Sequence, residues 1–380
     1  MLHLNAAGAG LPPAIVTETI VNHLRREAEM GPHWAASEAR ERLNAVRSSA
    51  SALLGCRARN IAFGPSAGRL WAMALLSRPV TAGARILVAR SEWASNILNL
   101  LKLRRDCGVV IEIMPMDEAG LIDVARTAAL IDDRTIAVCL PVVSSGYGLR
   151  QPVAAIAALP RPAGCLLFVD AAQAVGQLSI GLDGTEIDVL VTPGRKWLRG
   201  PRGEAMMALS ERALRQLGDP PLLDQTGSPW TDAWTYRSLD DARRFETYEF
   251  SAASRLGLGA AIDHALAQGI ADIREGIGAR LAHLHEGLST LPGIQLFEPL
   301  DAEPLFLTFV ADSLPPGELN QRLAQAGIAA AIVDRAYARL DFEARGLAAV
   351  NRVAPHMYSR EAGLDQFLKT METICSRPAR

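Results

Sequence analysis

The chain has 380 residues, 49% of them hydrophobic and 21% charged, with a formal net charge of −2. This length predicts two domains of an ordinary globular protein, and the near-zero charge argues against nucleic acid or an anionic membrane as partner. The opening MLHLNAAGAGLPP has no basic region leading into an apolar core, no later stretch of about 18 apolar residues suggests a span, and the five scattered cysteines and seven dispersed histidines show neither a disulfide framework nor metal-ligand spacing, so a cytoplasmic protein without a metal is the expectation.

The small-residue stretch Leu4 to Gly10 before Pro12-Pro13 reads as an N-terminal arm. Helical patterning begins near Ile15 and breaks at Gly31-Pro32-His33-Trp34, where His33 and Trp34 either pack the break or border a pocket. Leu43, Val46, Ala50 and Leu53 give a second helix, and a strand follows at Asn60 to Phe63. Gly64-Pro65-Ser66-Ala67-Gly68 then opens a helix carrying Leu70, Trp71, Ala74 and Leu75; free N–H groups at such a helix start suit a phosphate. Arg85 to Ala89, Val109 to Met114 and Thr135 to Leu140 read as strands, with helices after Ser91-Glu92-Trp93, over Ile122 to Ile131 and over Val153 to Leu159. Repeated strand–helix units predict a doubly wound α/β domain with a mainly parallel sheet. Ser144-Ser145-Gly146-Tyr147-Gly148 is a loop at a strand's carboxyl end.

The stretch Cys165 to Gly203 carries the chemistry. Its apolar runs, Leu166 to Val169 and Ile187 to Val191, read as buried parallel strands ending at Asp170 and just before Lys196. Functional groups collect at the carboxyl ends of such strands, so Asp170 and Lys196 are expected at one rim. An amine and a carboxylate so placed suit a Schiff base with an aldehyde cofactor whose ring nitrogen stays protonated. The plainer alternative is a solvated lysine and a helix-capping aspartate. Beyond a strand at Glu204 to Leu209, Gly218 to Tyr236 reads as a long irregular loop. A helix over Ala252 to Gln268, another over Ile273 to Leu291, strands near Ile294 to Phe297 and Leu305 to Val310, and a helix over Glu318 to Ala326 predict a smaller α+β domain. The expected division is an arm at 1–16, a large domain at 17–251 and a small domain at 252–380.

Val169-Asp170-Ala171-Ala172-Gln173-Ala174-Val175-Gly176, followed by Arg195-Lys196-Trp197-Leu198-Arg199-Gly200-Pro201-Arg202-Gly203, resembles the class V aminotransferase family, nearest to its isopenicillin N epimerase-like and ergothioneine-type carbon–sulfur lyase branch. The resemblance implies a fold-type I enzyme with pyridoxal 5′-phosphate (PLP), an amino-acid substrate and a homodimer whose subunits meet near the active site. It implies Lys196 as the Schiff-base lysine, Asp170 on the pyridinium, Trp93 stacked on the ring, Gln173 and Ser145 near the phenolic oxygen, and Arg352 on the substrate carboxylate. Phosphate is assigned to Ala67 and Gly68, with Arg195 or Thr192 standing in for hydroxyls lost at Gly68 and Pro193; Ser66 is a further substitute. A desulfurase of this family needs a mobile cysteine, and Gln321 to His356 contains none. The expected reaction is therefore carbon–sulfur β-elimination from an S-substituted cysteine or its sulfoxide. Aminotransferase or epimerase chemistry, and a non-catalytic ligand-binding protein, are the alternatives.

Overall fold

Seven short runs between Ile61 and Leu209 assemble into one twisted sheet in the computed structural model, which describes residues 1–375. They are β1 (Ile61–Gly64), β2 (Arg85–Val88), β3 (Val110–Ile113), β4 (Thr135–Pro141), β5 (Leu166–Asp170), β6 (Val189–Pro193) and β7 (Ala205–Leu209). The order across the sheet is β1-β7-β6-β5-β4-β2-β3, and β7 alone runs against its neighbours β1 and β6. Side chains alternate faces along a strand. Leu167 and Val169 join one core with Leu190, Met206 and Ala208; Leu166 and Phe168 join the other with Val189, Val191 and Met207. Both faces are covered, and for this reason the strands read as continuous apolar runs.

Helices α1 (Ala14–Met30) and α2 (Arg40–Leu53) pack on α5 (Ala252–Gln268), while α3 (Ala67–Leu76) and α4 (Ala94–Cys107) lie together on the other side. Gly257 and Gly259 of α5 permit this approach, since a Cβ on either would strike Ile20 or Val46. Past Gly269, helix α6 (Ile270–Ser289) leads to an antiparallel sheet of β8 (Ile294–Leu296), β9 (Leu307–Ala311), β10 (Ala331–Asp334) and β11 (Ala349–Val353), ordered β8-β9-β11-β10. The helix α7 (Glu361–Cys375) packs on α6. Among the described residues no helix is long and apolar enough to cross a membrane.

Several expectations need correction. Gly218 to Tyr236 is not wholly irregular: Trp230–Asp232 and Thr235–Tyr236 form an exposed hairpin. The helices expected at Ile122 to Ile131 and Val153 to Leu159 shrink to Val124–Ala128 and Val153–Ala157. Strand β10, Ala331-Ile332-Val333-Asp334, carries two β-branched residues but is only four residues long and follows Ala329-Ala330, so it leaves little pattern to read. Leu2–His3 pairs with Ile328–Ala329, a two-residue ladder too short to leave a period.

The two sheets are joined at the loop after β4. Glu298, buried, accepts from Gly148 N at 2.7 Å, Thr308 N at 2.6 Å and Thr308 Oγ1 at 2.6 Å. Burial pushes its carboxyl up to about 7 against these hydrogen bonds. Leu305 N donates to Gly148 O, Arg345 to Gly146 O and Arg352 Nη1 to Ser145 O at 2.9 Å. Gly148 is required by this closeness, because an added Cβ would collide with the Phe306 carbonyl oxygen. Gly148→Ala is expected to destabilise the fold by about 1–3 kcal/mol through overpacking, measured as a lowered urea midpoint; an unchanged midpoint would show that the two chain segments separate freely.

Candidate active site

A cleft of about 690 Å³ lies at the carboxyl ends of β4, β5 and β6, faced by β10 and β11 and bordered by Asn5, Ala7, Gly8 and Ala9 of the arm. Register places Pro141 beside Asp170 and Asp170 beside Val191, so β4 and β5 end at one level and β6 runs two residues further, to Pro193. Ala67, Gly68, Trp93, Ser145, Asp170, Gln173, Arg195, Lys196 and Arg352 all line this one cleft. His33 and Trp34 do not; Trp34 is 73% exposed on a short helix begun by Pro32.

The floor is electrostatic. Asp170 Oδ1 accepts from Ala172 N at 2.8 Å and Oδ2 from Asn96 Nδ2 at 3.3 Å. Burial raises the Asp170 carboxyl, and Lys196 opposes that shift. Burial lowers the Lys196 amine to about 7; Asp170 pulls it upward while Arg195 and Arg352 push it down. An amine held near neutrality is available as a nucleophile and as a proton acceptor.

Around this floor stand cations that have no carboxylate partner among the described residues. Arg352 is buried, donates from Nη1 to Ser145 O and from Nη2 to Asn5 Oδ1 at 3.3 Å, and keeps Nε unpartnered. Burial and Arg195 lower it to about 10. Arg195 donates to Gly8 O, and Arg202 lines the cleft nearby. At the start of α3, Ser66 Oγ accepts from Arg69 N at 3.2 Å, which engages that hydroxyl as a helix cap and leaves the Ala67 and Gly68 N–H groups open toward the cleft. One expected substitute is corrected: Thr192, though its Oγ1 is buried without a partner, lies outside the lining, whereas Ser66 lines the cleft and, accepting at Oγ as a cap, still has its hydroxyl hydrogen to donate. Arg202, which the sequence reading passed over inside the lysine motif, joins Arg195 instead.

Trp93 stacks on Tyr337 with ring centroids 5.3 Å apart and planes 10° from parallel. Tyr337 lies in the turn after β10, and no motif marked it. Gln173 accepts from Trp197 Nε1 at 3.0 Å and donates to Ala7 O at 3.2 Å, leaving one N–H for the cleft. Ser91 and Ser145 also line the cleft with hydroxyls that have no protein partner. Ser91 was legible only as the residue two before Trp93.

The donor set fits PLP: backbone N–H groups and two guanidiniums for a phosphate, a buried carboxylate for a protonated ring nitrogen, an amine for an aldehyde, and orphaned hydroxyls available to the phenolic oxygen or the phosphate. Sheet order and cleft position are those of a fold-type I PLP-dependent α/β protein. Residues 1–367 match the family model described as aminotransferase class-V. The chain belongs to that family, and its cofactor is PLP.

It is 27% identical over 307 residues to a cysteine desulfurase of Serratia proteamaculans and 28% over 309 residues to one of Yersinia pestis, each match spanning 78% of this chain and 74% of the relative. Its fold is similar to the apo cysteine desulfurase of Thermococcus onnurineus NA1, with TM-score 0.90, 21% identity, and 98% and 94% of the two chains covered. The cysteine desulfurase CsdA of Escherichia coli gives 0.88 at 19% identity, covering 98% and 94%. The cystine C–S lyase C-DES gives 0.87 at 19%, covering 97% of each chain.

The Lys196 shift has a sign that stability can read. Between about 7 and the unfolded value of 10.5 the folded chain binds fewer protons than the unfolded one, so this group makes the cofactor-free fold more stable as pH rises. Lys196→Met is expected to stabilise the cofactor-free protein most below pH 7, with the gain shrinking at higher pH. Melting temperatures of both chains across that range check it, and a pH-independent difference would place the amine in water.

Proposed function

We propose that this chain is a carbon–sulfur β-lyase that takes an S-substituted cysteine or its sulfoxide and forms pyruvate, ammonia and a released sulfur product. The observation that carries the reading is a cleft built for an amino acid in which no thiol lines the wall. Cys139 and Cys165 are buried in or beside strands of the large sheet, burial pushes Cys56 up to about 12, and Cys107 and Cys375 lie outside the lining. A persulfide-carrying cysteine therefore has no place, and Tyr337 occupies the wall beside Trp93. The activity of C-DES, a cystine C–S lyase of similar fold, agrees with a sulfur product that leaves directly.

Bound PLP supplies an electrophilic carbon for the substrate amine and a cationic ring that withdraws electrons from Cα. The protein's part is positioning and proton management. Arg352 pairs the α-carboxylate through its fork, fixing the direction of the Cα–H bond. Lys196, neutral enough to accept a proton, takes it from Cα. Asp170 holds the proton on the ring nitrogen, and the indole of Trp93 forms a flat wall. Ala67, Gly68, Arg195 and Arg202 hold the phosphate, while Gln173 and Ser145 face the ring oxygen. Ser91 is available to the same groups.

The chain is further proposed to act as a homodimer. Trp230, Trp234, Tyr248 and Phe250 are exposed, with Trp234 at 95%, and this concentration of exposed aromatics in one stretch supports the proposal. We also retain the division at 1–16, 17–251 and 252–380 as a proposal; the separate sheets on either side of α5 support it.

The test is absorbance of protein loaded with PLP, mixed with a panel of S-substituted cysteines, alongside pyruvate release and keto-acid-dependent amino transfer. Pyruvate and thiol in equal amounts from one panel member support the lyase; amino transfer without a sulfur product overturns it. Lys196→Ala is expected to lose the cofactor's protein-bound band and all turnover. Arg352→Ala is expected to raise KM about 10- to 100-fold, the scale of a charge-assisted hydrogen-bond pair; an unchanged KM would place the carboxylate elsewhere.

A further inference from the structure

Glu92 precedes Trp93 and is 1% exposed, although no Lys, Arg or His pairs with it among the described residues. Its Oε1 accepts from Trp93 N at 2.8 Å and from Asn96 Nδ2 at 2.9 Å; its Oε2 has no partner. Asn96, fully buried, turns the same Nδ2 toward Asp170 Oδ2 at 3.3 Å. An amide nitrogen carries two hydrogens, one for each carboxylate. A single neutral amide thus bridges two buried carboxyl groups.

Both groups cannot keep a full negative charge in that setting, because like charges repel strongly where water is excluded. Their surroundings decide which one takes the proton. Asp170 has Lys196 on its cleft side and the Ala172 N–H on Oδ1. Glu92 faces Asp170 from β5, the Cys139 thiol from β4, and only neutral donors at the start of α4. Among the described residues no cation acts on its carboxyl.

We propose that Glu92 is a neutral carboxylic acid in the folded protein and a positioning residue that fixes the Trp93 backbone and, through Asn96, the Oδ2 edge of Asp170. Asp170 is then the one anion of the pair. The indole wall and the carboxylate below it are tied to a single side chain, which itself stays outside the cleft. Burial first, and the Asp170 charge second, push the Glu92 carboxyl up to about 8, in agreement with the geometry.

The charge assignment is independent of the reaction proposed above; only its consequence for a bound cofactor rests on that reading. Because the folded state holds a proton that the unfolded state releases, Glu92 makes the fold less stable as pH rises above the ordinary glutamate range. In cofactor-free protein, Glu92→Gln is expected to melt progressively higher than wild type as pH goes from about 5 to about 8. A deficit that grows with pH, a constant difference, or an isosteric variant that fails to fold would each overturn the assignment.

The positioning role is read by PLP titration. Glu92→Gln, which keeps the Oε1 acceptor, should retain the wild-type dissociation constant and the same pH midpoint of the bound cofactor's absorbance. Asn96→Ala should weaken PLP about tenfold and move that midpoint. Equal behaviour of Asn96→Ala and wild type would remove the bridge from the site's function. Wild type that binds no PLP would sink the lyase reading instead, while the pH-dependent melting still decides the state of Glu92.

Discussion

The structure depends on a surplus of positive charge held at the ends of buried strands. Lys196, Arg195, Arg202 and Arg352 converge on one cleft, and the carboxylates that line it are Asp170 and Glu204, the second already paired with Arg255 at 2.7 Å. Removing cations from water is costly, and the downward shifts of Lys196, Arg195 and Arg352 record that cost. The cleft is tolerable because anions are meant to enter it. A phosphate and an α-carboxylate together carry the charge that the protein leaves uncompensated.

The same constraint explains why the site draws on such distant parts of the chain. A guanidinium needs carbonyl acceptors when no carboxylate is supplied. Arg352 on β11 finds Ser145 O on the loop after β4, and Arg195 finds Gly8 O on the arm. Each of these bonds orients a cation and also joins two parts of the fold. Stability and recognition share the same atoms, so a change in one registers in the other.

Much of this was legible in the amino-acid sequence, for physical reasons that can be named. Strands buried on both faces leave unbroken apolar runs, and Asp170 and Lys196 follow two of them at the sheet's carboxyl edge. Gly64 to Gly68 announced a helix start. What stayed hidden were contacts made by long-range register. Tyr337 reaches Trp93 only because β10 pairs with β11, and β10 is a four-residue strand too short to leave a readable alternation. Glu92 looked like one more charged residue beside a tryptophan, since burial of a single carboxylate leaves no period to read. Ser66 was legible as a residue of the helix start, and its hydroxyl accepts as a cap while it lines the cleft.

The arm has a consequence for how the protein comes into being. Leu2 N bonds to Gly327 O, Leu4 O accepts from Ala354 N, Ala6 N donates to Ala354 O, and Gly10 N to Arg195 O. The arm therefore waits for partners that are synthesised much later than itself. The seven-stranded sheet has all its strands once Leu209 has emerged, yet the cleft lacks Arg352 and part of the arm's seat until β11 and Ala354 follow. Domains generally fold as units during synthesis. Here the scaffold can precede the site, and a nascent chain or one truncated before β11 carries Lys196 and Asp170 in a pocket still missing a wall.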